Sequence, residues 1–210
     1  MKYNPKIHHR RSIRLKGYDY SRAGLYFITI CCQDMKCRFG KIEKDEMVLN
    51  ELGMIAQNEW AKLPERFSNF ELDVFQIMPN HIHGIILLND CVVRAGFTTA
   101  HLPDHIHEGQ PQGIAPTQNH DPIQNPAGMN PVPTIGDIVG SYKSLVSNEC
   151  LKIYKSNNEI MGKLLQRDYY EHIIRNESSY KRISEYIINN PQQWDNDKFY
   201  VGAGFTPAHL

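Results

Sequence analysis

Met78-Pro79-Asn80-His81-Ile82-His83-Gly84-Ile85-Ile86 follows a run from Phe70 rich in aromatic and branched residues, and leads into Leu87-Leu88. The segment reads as strand, tight turn, strand, with Phe70 to Met78 as one arm, Pro79-Asn80 as the turn and His81 to Leu88 as the other. Side chains at i and i+2 of a strand leave the same face, so His81 and His83 can offer two imidazoles to one ion. Gly84 falls on the opposite face, where a missing β-carbon allows close packing beneath. The pair alone also fits two surface histidines on a half-exposed strand. The same tripeptide recurs as His105-Ile106-His107, but in a proline-rich stretch with no strand to fix it. Metal ligands need a rigid support, so the first copy is the candidate.

Upstream, Leu25-Tyr-Phe-Ile-Thr-Ile-Cys-Cys32 is a second apolar, β-branched run and reads as a central strand. Phe39 to Ile42 and Met47 to Leu49 read as short strands around a charged turn. Leu49, Leu52, Ile55, Ala56, Trp60 and Leu63 keep near-helical spacing, and Pro64 is expected to end that helix. Downstream, Thr134 with Asp137 three residues on resembles a helix N-cap. Ile135, Ile138, Val139, Tyr142, Leu145 and Val146 then form one apolar stripe. Tyr169 to Ile174 reads as a strand. Asn176 can cap a helix running to Asn190, with Tyr180, Ile183 and Ile187 as its buried face and Pro191 as its stop. This order predicts an α+β fold: a single domain with a mainly antiparallel sheet and helices packed on it.

With 210 residues, 41% of them hydrophobic, the chain has room for one domain, or one domain plus a long insertion. Its 23 basic and 23 acidic side chains cancel, which excludes a uniformly basic coat. The cancellation hides a basic arm. Residues 1–22 carry seven basic groups against Asp19 alone, net +6, on a body that is net −6. The five cysteines are odd in number and lack CxxC spacing, which argues against a disulfide framework or a zinc ribbon. No apolar run is long enough to span a bilayer, and the N-terminus has no apolar signal region. The expectation is a cytoplasmic protein with reduced thiols and no membrane partner.

Residues 91–133 hold seven of the 12 prolines and only four charged side chains. They read as a flexible insertion. The expected layout is a basic arm over 1–22, a body over 23–90 and 134–200 interrupted by 91–133, and a tail over 201–210. Ala95-Gly-Phe-Thr-Thr-Ala-His-Leu102 returns as Ala203-Gly-Phe-Thr-Pro-Ala-His-Leu210, matching at seven of eight positions. The repeat reads as two translated fragments of one repeated DNA element, against chance similarity in a biased linker. Dissimilar nucleotide sequences behind the two copies would overturn the first reading.

On the last predicted helix, Tyr186 and Asn190 stand at i and i+4 and so share a face. Tyr186 lies at the edge of the apolar stripe, where its ring can pack while its hydroxyl reaches a pocket. Asn190 can offer a carbonyl oxygen to a metal. Read locally, a packing tyrosine and a helix-stop asparagine explain the same residues.

Taken together, Pro79-Asn80-His81-Ile82-His83-Gly84, Gln166-Arg167-Asp168-Tyr169-Tyr170-Glu171-His172-Ile173-Ile174-Arg175 and Glu185-Tyr186-Ile187-Ile188-Asn189-Asn190-Pro191-Gln-Gln-Trp194 resemble the single-tyrosine HUH transposases. The stretch Arg11-Ser-Ile-Arg14-Leu-Lys16-Gly17-Tyr18-Asp19-Tyr20 through Phe27-Ile-Thr-Ile30 points to the REP-associated tyrosine transposases, relatives of the insertion-sequence 200-like enzymes. The resemblance spans roughly residues 10–90 and 134–200. The insertion and its repeat fall outside the pattern. The resemblance implies a ferredoxin-like, HUH-type sheet. It also implies that His81 and His83 bind a divalent cation, Mg²⁺ or Mn²⁺, with Asn190 as third ligand and Tyr186 as nucleophile. The implied substrate is single-stranded DNA near a hairpin, and the implied assembly is a monomer or a homodimer.

The implied chemistry is physically coherent. A phenol with an ordinary pKa of about 10 is a weak nucleophile. A divalent ion can polarise and orient an anionic phosphodiester for in-line attack. Attack by tyrosine conserves the ester bond energy, so a second 3′-OH can rejoin strands without ATP. For DNA contacts, Arg10, Arg11, Arg14 and Lys16, with Tyr18 and Tyr20 nearby, suit phosphate binding and base stacking, against a solvated tail. Lys143, Arg167 and Arg175 are further candidates. His172 reads as a general acid-base group or as a packed strand residue, and packing is expected. A domesticated, non-cleaving binder of single-stranded DNA hairpins is the main alternative, and a metalloprotein unrelated to nucleic acid a third reading.

Overall fold

The computed structural model describes residues 22–67, 69–89 and 133–201. Four strands form one antiparallel sheet: β1 (Gly24–Cys31), β4 (Phe70–Ile77), β5 (His81–Leu88) and β6 (Tyr170–Ile174). Their order across the sheet is β4-β5-β1-β6, so β1 and β5 are central. The predicted α+β class and antiparallel sheet are observed. The remaining strands, β2 (Gly40–Glu43) and β3 (Glu46–Leu49), form a separate hairpin. Its turn residues Lys44 and Asp45 both have positive φ (51° and 64°), the backbone that two-residue hairpins with native twist require.

Strand alternation splits the interior into two layers. Tyr26, Ile28, Ile30 and Cys32 of the β1 segment, with Ile82 and Ile86 of β5, face α1 (Glu51–Ala61) and α3 (Ile135–Ser156) in the larger core. Phe27 and Ile85 face the other way, onto Ile187 of α4 (Glu177–Asn189), with Ile183 and Tyr186 packed beside them. The sheet is thus covered on both faces, which explains why β5 is buried along almost its whole length. Tyr142 ties the larger core together: it is fully buried, and its hydroxyl donates to the Ala56 carbonyl of α1 at 2.9 Å.

The predicted caps are present. Thr134 and Asp137 form a reciprocal capping box, and the Asn176 side chain accepts from the Ser179 amide. Pro64 does not end α1 as expected. The helix stops at Ala61, and Pro64 sits in the first turn of α2 (Leu63–Arg66). Proline is tolerated there because first-turn amides have no helical acceptor to lose.

The chain leaves the sheet at Asn89 and returns at Pro133. Both points are tied to Asn69: its carbonyl accepts from the Asn89 amide (2.8 Å) and its Nδ2 donates to the Pro133 carbonyl (3.3 Å). The arm over 1–21, the insertion over 90–132 with its His105-Ile106-His107, and the tail beyond residue 201 lie outside the described residues.

Candidate metal and tyrosine site

His81 and His83 are both fully buried, so the half-exposed strand does not apply. They open β5 and pair across β1 with Cys31 and Thr29. Beneath them Gly84 admits the indole of Trp60, and a β-carbon there would lie 2.7 Å from Cζ2. The indole also stacks on Phe75 at 4.5 Å between ring centroids. This packing fixes the strand that carries the imidazoles.

A chain of hydrogen bonds sets the His81 tautomer. Asn80, fully buried in the turn, donates through Nδ2 to the carbonyls of Met35 (3.2 Å) and Phe199 (2.8 Å). Its Oδ1 is therefore an acceptor, and at 2.8 Å it takes a hydrogen from His81 Nδ1. That leaves the His81 Nε2 lone pair free. His83 Nδ1 lies 2.9 Å from the Thr29 hydroxyl, which can donate or accept. The two Nε2 atoms face one another at 3.0 Å. Two donors at right angles, each about 2.1 Å from a Mg²⁺-sized ion, stand about 3.0 Å apart. Burial holds both imidazoles in the neutral, metal-binding form. It lowers the pKa of His81 to about 4, and that of His83 well below the usual value, helped by His81.

Tyr186 approaches from α4. Its ring packs edge-on against Phe27, with centroids 6.4 Å apart. Its hydroxyl lies 3.2 Å from His83 Nε2 and donates to Asp197 Oδ2 at 2.9 Å. Burial, then the Asp197 charge, push the Tyr186 pKa well above that of a free phenol. Asn190 caps the same helix and is buried. Its Nδ2 donates to Asp197 Oδ2 at 2.6 Å, and its Oδ1 has no hydrogen-bond partner. An orphaned, buried carbonyl oxygen on the residue that caps the Tyr186 helix suits an oxygen-seeking cation. The residues present fit a divalent ion.

Sequence reading missed three contributors: Thr29, Asn80 and Asp197. Among the described residues His81, His83 and Asp197 form a group able to share a metal, their ligand atoms all within 4.8 Å of one another. After α4 a short 3-10 helix, Pro191–Asn196, turns the chain back. It sets Asp197 between Tyr186 and Asn190, and lays the Phe199 ring 4.6 Å from that of His81. The Tyr186 side opens into a pocket of about 240 Å³ lined by Asn190, Gln193, Asn196, Asp197 and Lys198.

The other candidates are dispersed. Lys143 stands on α3, on the far face of the sheet; burial lowers its pKa, and its ammonium donates to the Arg167 carbonyl at 2.6 Å. Arg167 and Arg175 are exposed on either side of β6. His172 is exposed instead of packed. It opposes Phe27 across an edge-strand pair, on the face that carries His83. Arg10, Arg11, Arg14 and Lys16 fall outside the described residues. Cys31, Cys32, Cys37 and Cys150 are free thiols. Among the described residues no helix is long and apolar enough to cross a membrane.

No family model matches the chain. An uncharacterized protein of Haemophilus influenzae is 42% identical over 200 residues, which cover 95% of this chain and 98% of that one. The chain belongs to the same family as that protein. In structure it is similar to a REP-associated tyrosine transposase bound to a REP hairpin, with a TM-score of 0.48 and 16% identity over 86% of this chain and 73% of the other. It is also similar to a Deinococcus radiodurans protein described as a transposase (TM-score 0.39, 13% identity, 84% of this chain and 95% of the other).

Proposed function

We propose that this protein is a metal-dependent, single-stranded DNA transposase that cuts and rejoins strands near hairpins through a 5′-phosphotyrosine intermediate. The observation that carries the reading is the convergence of two buried, neutral imidazoles, Nε2 to Nε2 at 3.0 Å, with a tyrosine hydroxyl 3.2 Å from one of them. The residues at those positions are the ones through which the sequence resembles the single-tyrosine HUH transposases.

His81, His83 and Asn190 Oδ1 would hold Mg²⁺ or Mn²⁺. When bound, the ion supplies Lewis-acid polarisation of the scissile phosphate. Packing of the Tyr186 ring on Phe27 aims its hydroxyl from the α4 side, so attack needs little reorganisation. The Tyr186 Oη–P bond forms as the P–O3′ bond breaks, leaving the phosphate on tyrosine and a 3′ oxygen that takes a proton from solvent to become the free 3′-OH. The phenolic hydrogen is already directed at Asp197 Oδ2, which can receive it. A later 3′-OH attacks the phosphotyrosine and returns the phenol. The pocket beside Tyr186, with Lys198 on its wall, suits the strand next to the cut. The basic arm over 1–22 supplies phosphate contacts in the same reading.

The test is a covalent-adduct assay. The protein is incubated with labelled single-stranded hairpins from the flanks of its own gene, with Mn²⁺ or with chelator. A metal-dependent adduct mapped to Tyr186 by mass spectrometry, and lost in Tyr186→Phe and His83→Ala, is the expected result. Tight hairpin binding without an adduct would identify a non-cleaving binder instead. An adduct that survives Tyr186→Phe would move the nucleophile to Tyr169, Tyr170 or Tyr180.

A further inference from the structure

Asp197 is the one acidic side chain that joins His81 and His83 in a metal-sized group among the described residues. Three donors hold its carboxylate: the Tyr186 hydroxyl and Asn190 Nδ2 on Oδ2, and the Phe199 amide on Oδ1. Each carboxylate oxygen has two acceptor positions, so three donors leave one lone-pair position open. Two imidazoles and an amide are all neutral, and a hard divalent cation in such a set keeps its full charge. Mg²⁺ and Mn²⁺ favour carboxylate oxygen above other donors. The segment after α4 has no apolar periodicity, yet it returns to place a carboxylate beside the paired imidazoles.

We propose that Asp197 is a ligand of the divalent ion through Oδ1, completing a two-histidine, one-carboxylate set on which Tyr186 is positioned through the other carboxylate oxygen. The inference rests on the metal-dependent reading above and adds a residue to it. It assigns Asn190 a second task, since its 2.6 Å hydrogen bond holds the Asp197 carboxylate in place. If Asp197 were only a turn residue satisfying the Phe199 amide, its removal would leave metal affinity unchanged.

The experiment measures Mn²⁺ binding to the full chain by electron paramagnetic resonance of the free ion, without DNA. Wild type is compared with Asp197→Ala, Asp197→Asn, His83→Ala and Asp195→Ala, the last changing an exposed neighbour. Far-ultraviolet spectra and thermal melts in chelator identify any variant that has not folded. Asp197→Ala is expected to weaken Mn²⁺ by about tenfold or more, the scale of losses around metal sites, with Asp195→Ala unchanged. Asp197→Cys loaded with Co²⁺ is expected to gain a thiolate-to-cobalt charge-transfer band that wild type lacks. Such a band requires the side chain to touch the ion, so a purely structural role cannot produce it. Loss of binding in His83→Ala with full affinity in Asp197→Ala and no band in Asp197→Cys overturns the inference and leaves the metal site standing. Absence of Mn²⁺ binding in wild type overturns both.

Discussion

The indole of Trp60 occupies the space where Gly84 would carry a side chain, 2.7 Å from the position of a β-carbon. Trp60 is itself wedged between Phe75 and Tyr142, so it cannot yield easily. Gly84→Ala is therefore expected to destabilise the fold by about 1–3 kcal/mol, the usual cost of overpacking a filled core. Urea denaturation measures this directly. Because His83 is the neighbouring residue, Mn²⁺ affinity should fall in the same variant. An unchanged midpoint would show that Trp60 moves freely.

Thr29 is buried on β1 opposite His83, and its hydroxyl is the His83 Nδ1 partner. Valine keeps the β-branched shape and removes that partner. Thr29→Val is expected to weaken Mn²⁺ by about 10- to 100-fold, as losses of outer-shell partners do. Titration calorimetry checks it, and full affinity would mean that packing alone orients the ring.

In chelator, stability is expected to fall with pH in a defined window. Burial lowers the pKa of His81 to about 4, and that of His83 well below its ordinary value of 6.5. Both pKa values are lower in the folded chain than in the unfolded one, so the unfolded chain takes up protons first. The contribution is complete above about pH 6.5 and is lost progressively as pH falls toward 4, by roughly 1 kcal/mol per pH unit for each histidine. Urea melts at pH 7.5, 5.5 and 4.5 measure the slope. The double variant His81→Gln, His83→Gln should flatten it; an equally steep slope in that variant would place the proton uptake elsewhere.

Replacing residues 90–132 with a short glycine-serine linker is expected to leave both folding and adduct formation intact. The histidines open β5 at His81, whereas the insertion follows its other end at Leu88. Seven residue steps at about 3.3 Å separate the two. Loss of the adduct in a folded deletion variant would give the insertion a role in catalysis.

Most of the sheet and both capped helices were legible in the sequence because each is specified by short-range rules. The Pro79-Asn80 turn and the run that follows it to Leu88 gave β5 its correct ends, and Thr134 with Asp137 marked where α3 begins. The site was legible only as far as regular elements carry it: His81 and His83 on a strand, Tyr186 and Asn190 on a helix. Asp197 was not, because it reaches the site by way of an irregular turn, and one acid in a polar stretch has no signature. Thr29 was hidden for a different reason. It lies 54 residues before His83, and only the strand register brings them together. His172 was misread because alternation assigns a face but not what covers it.

The two ends of the interruption meet on a single residue, Asn69, whose backbone carbonyl holds one end and whose side-chain amide holds the other. A gap already closed by the frame asks little of whatever is threaded through it. Ring-closure entropy rises only with the logarithm of length, so each doubling costs about 0.6 kcal/mol. The seam can therefore take segments of very different length at little cost to the stability of the frame.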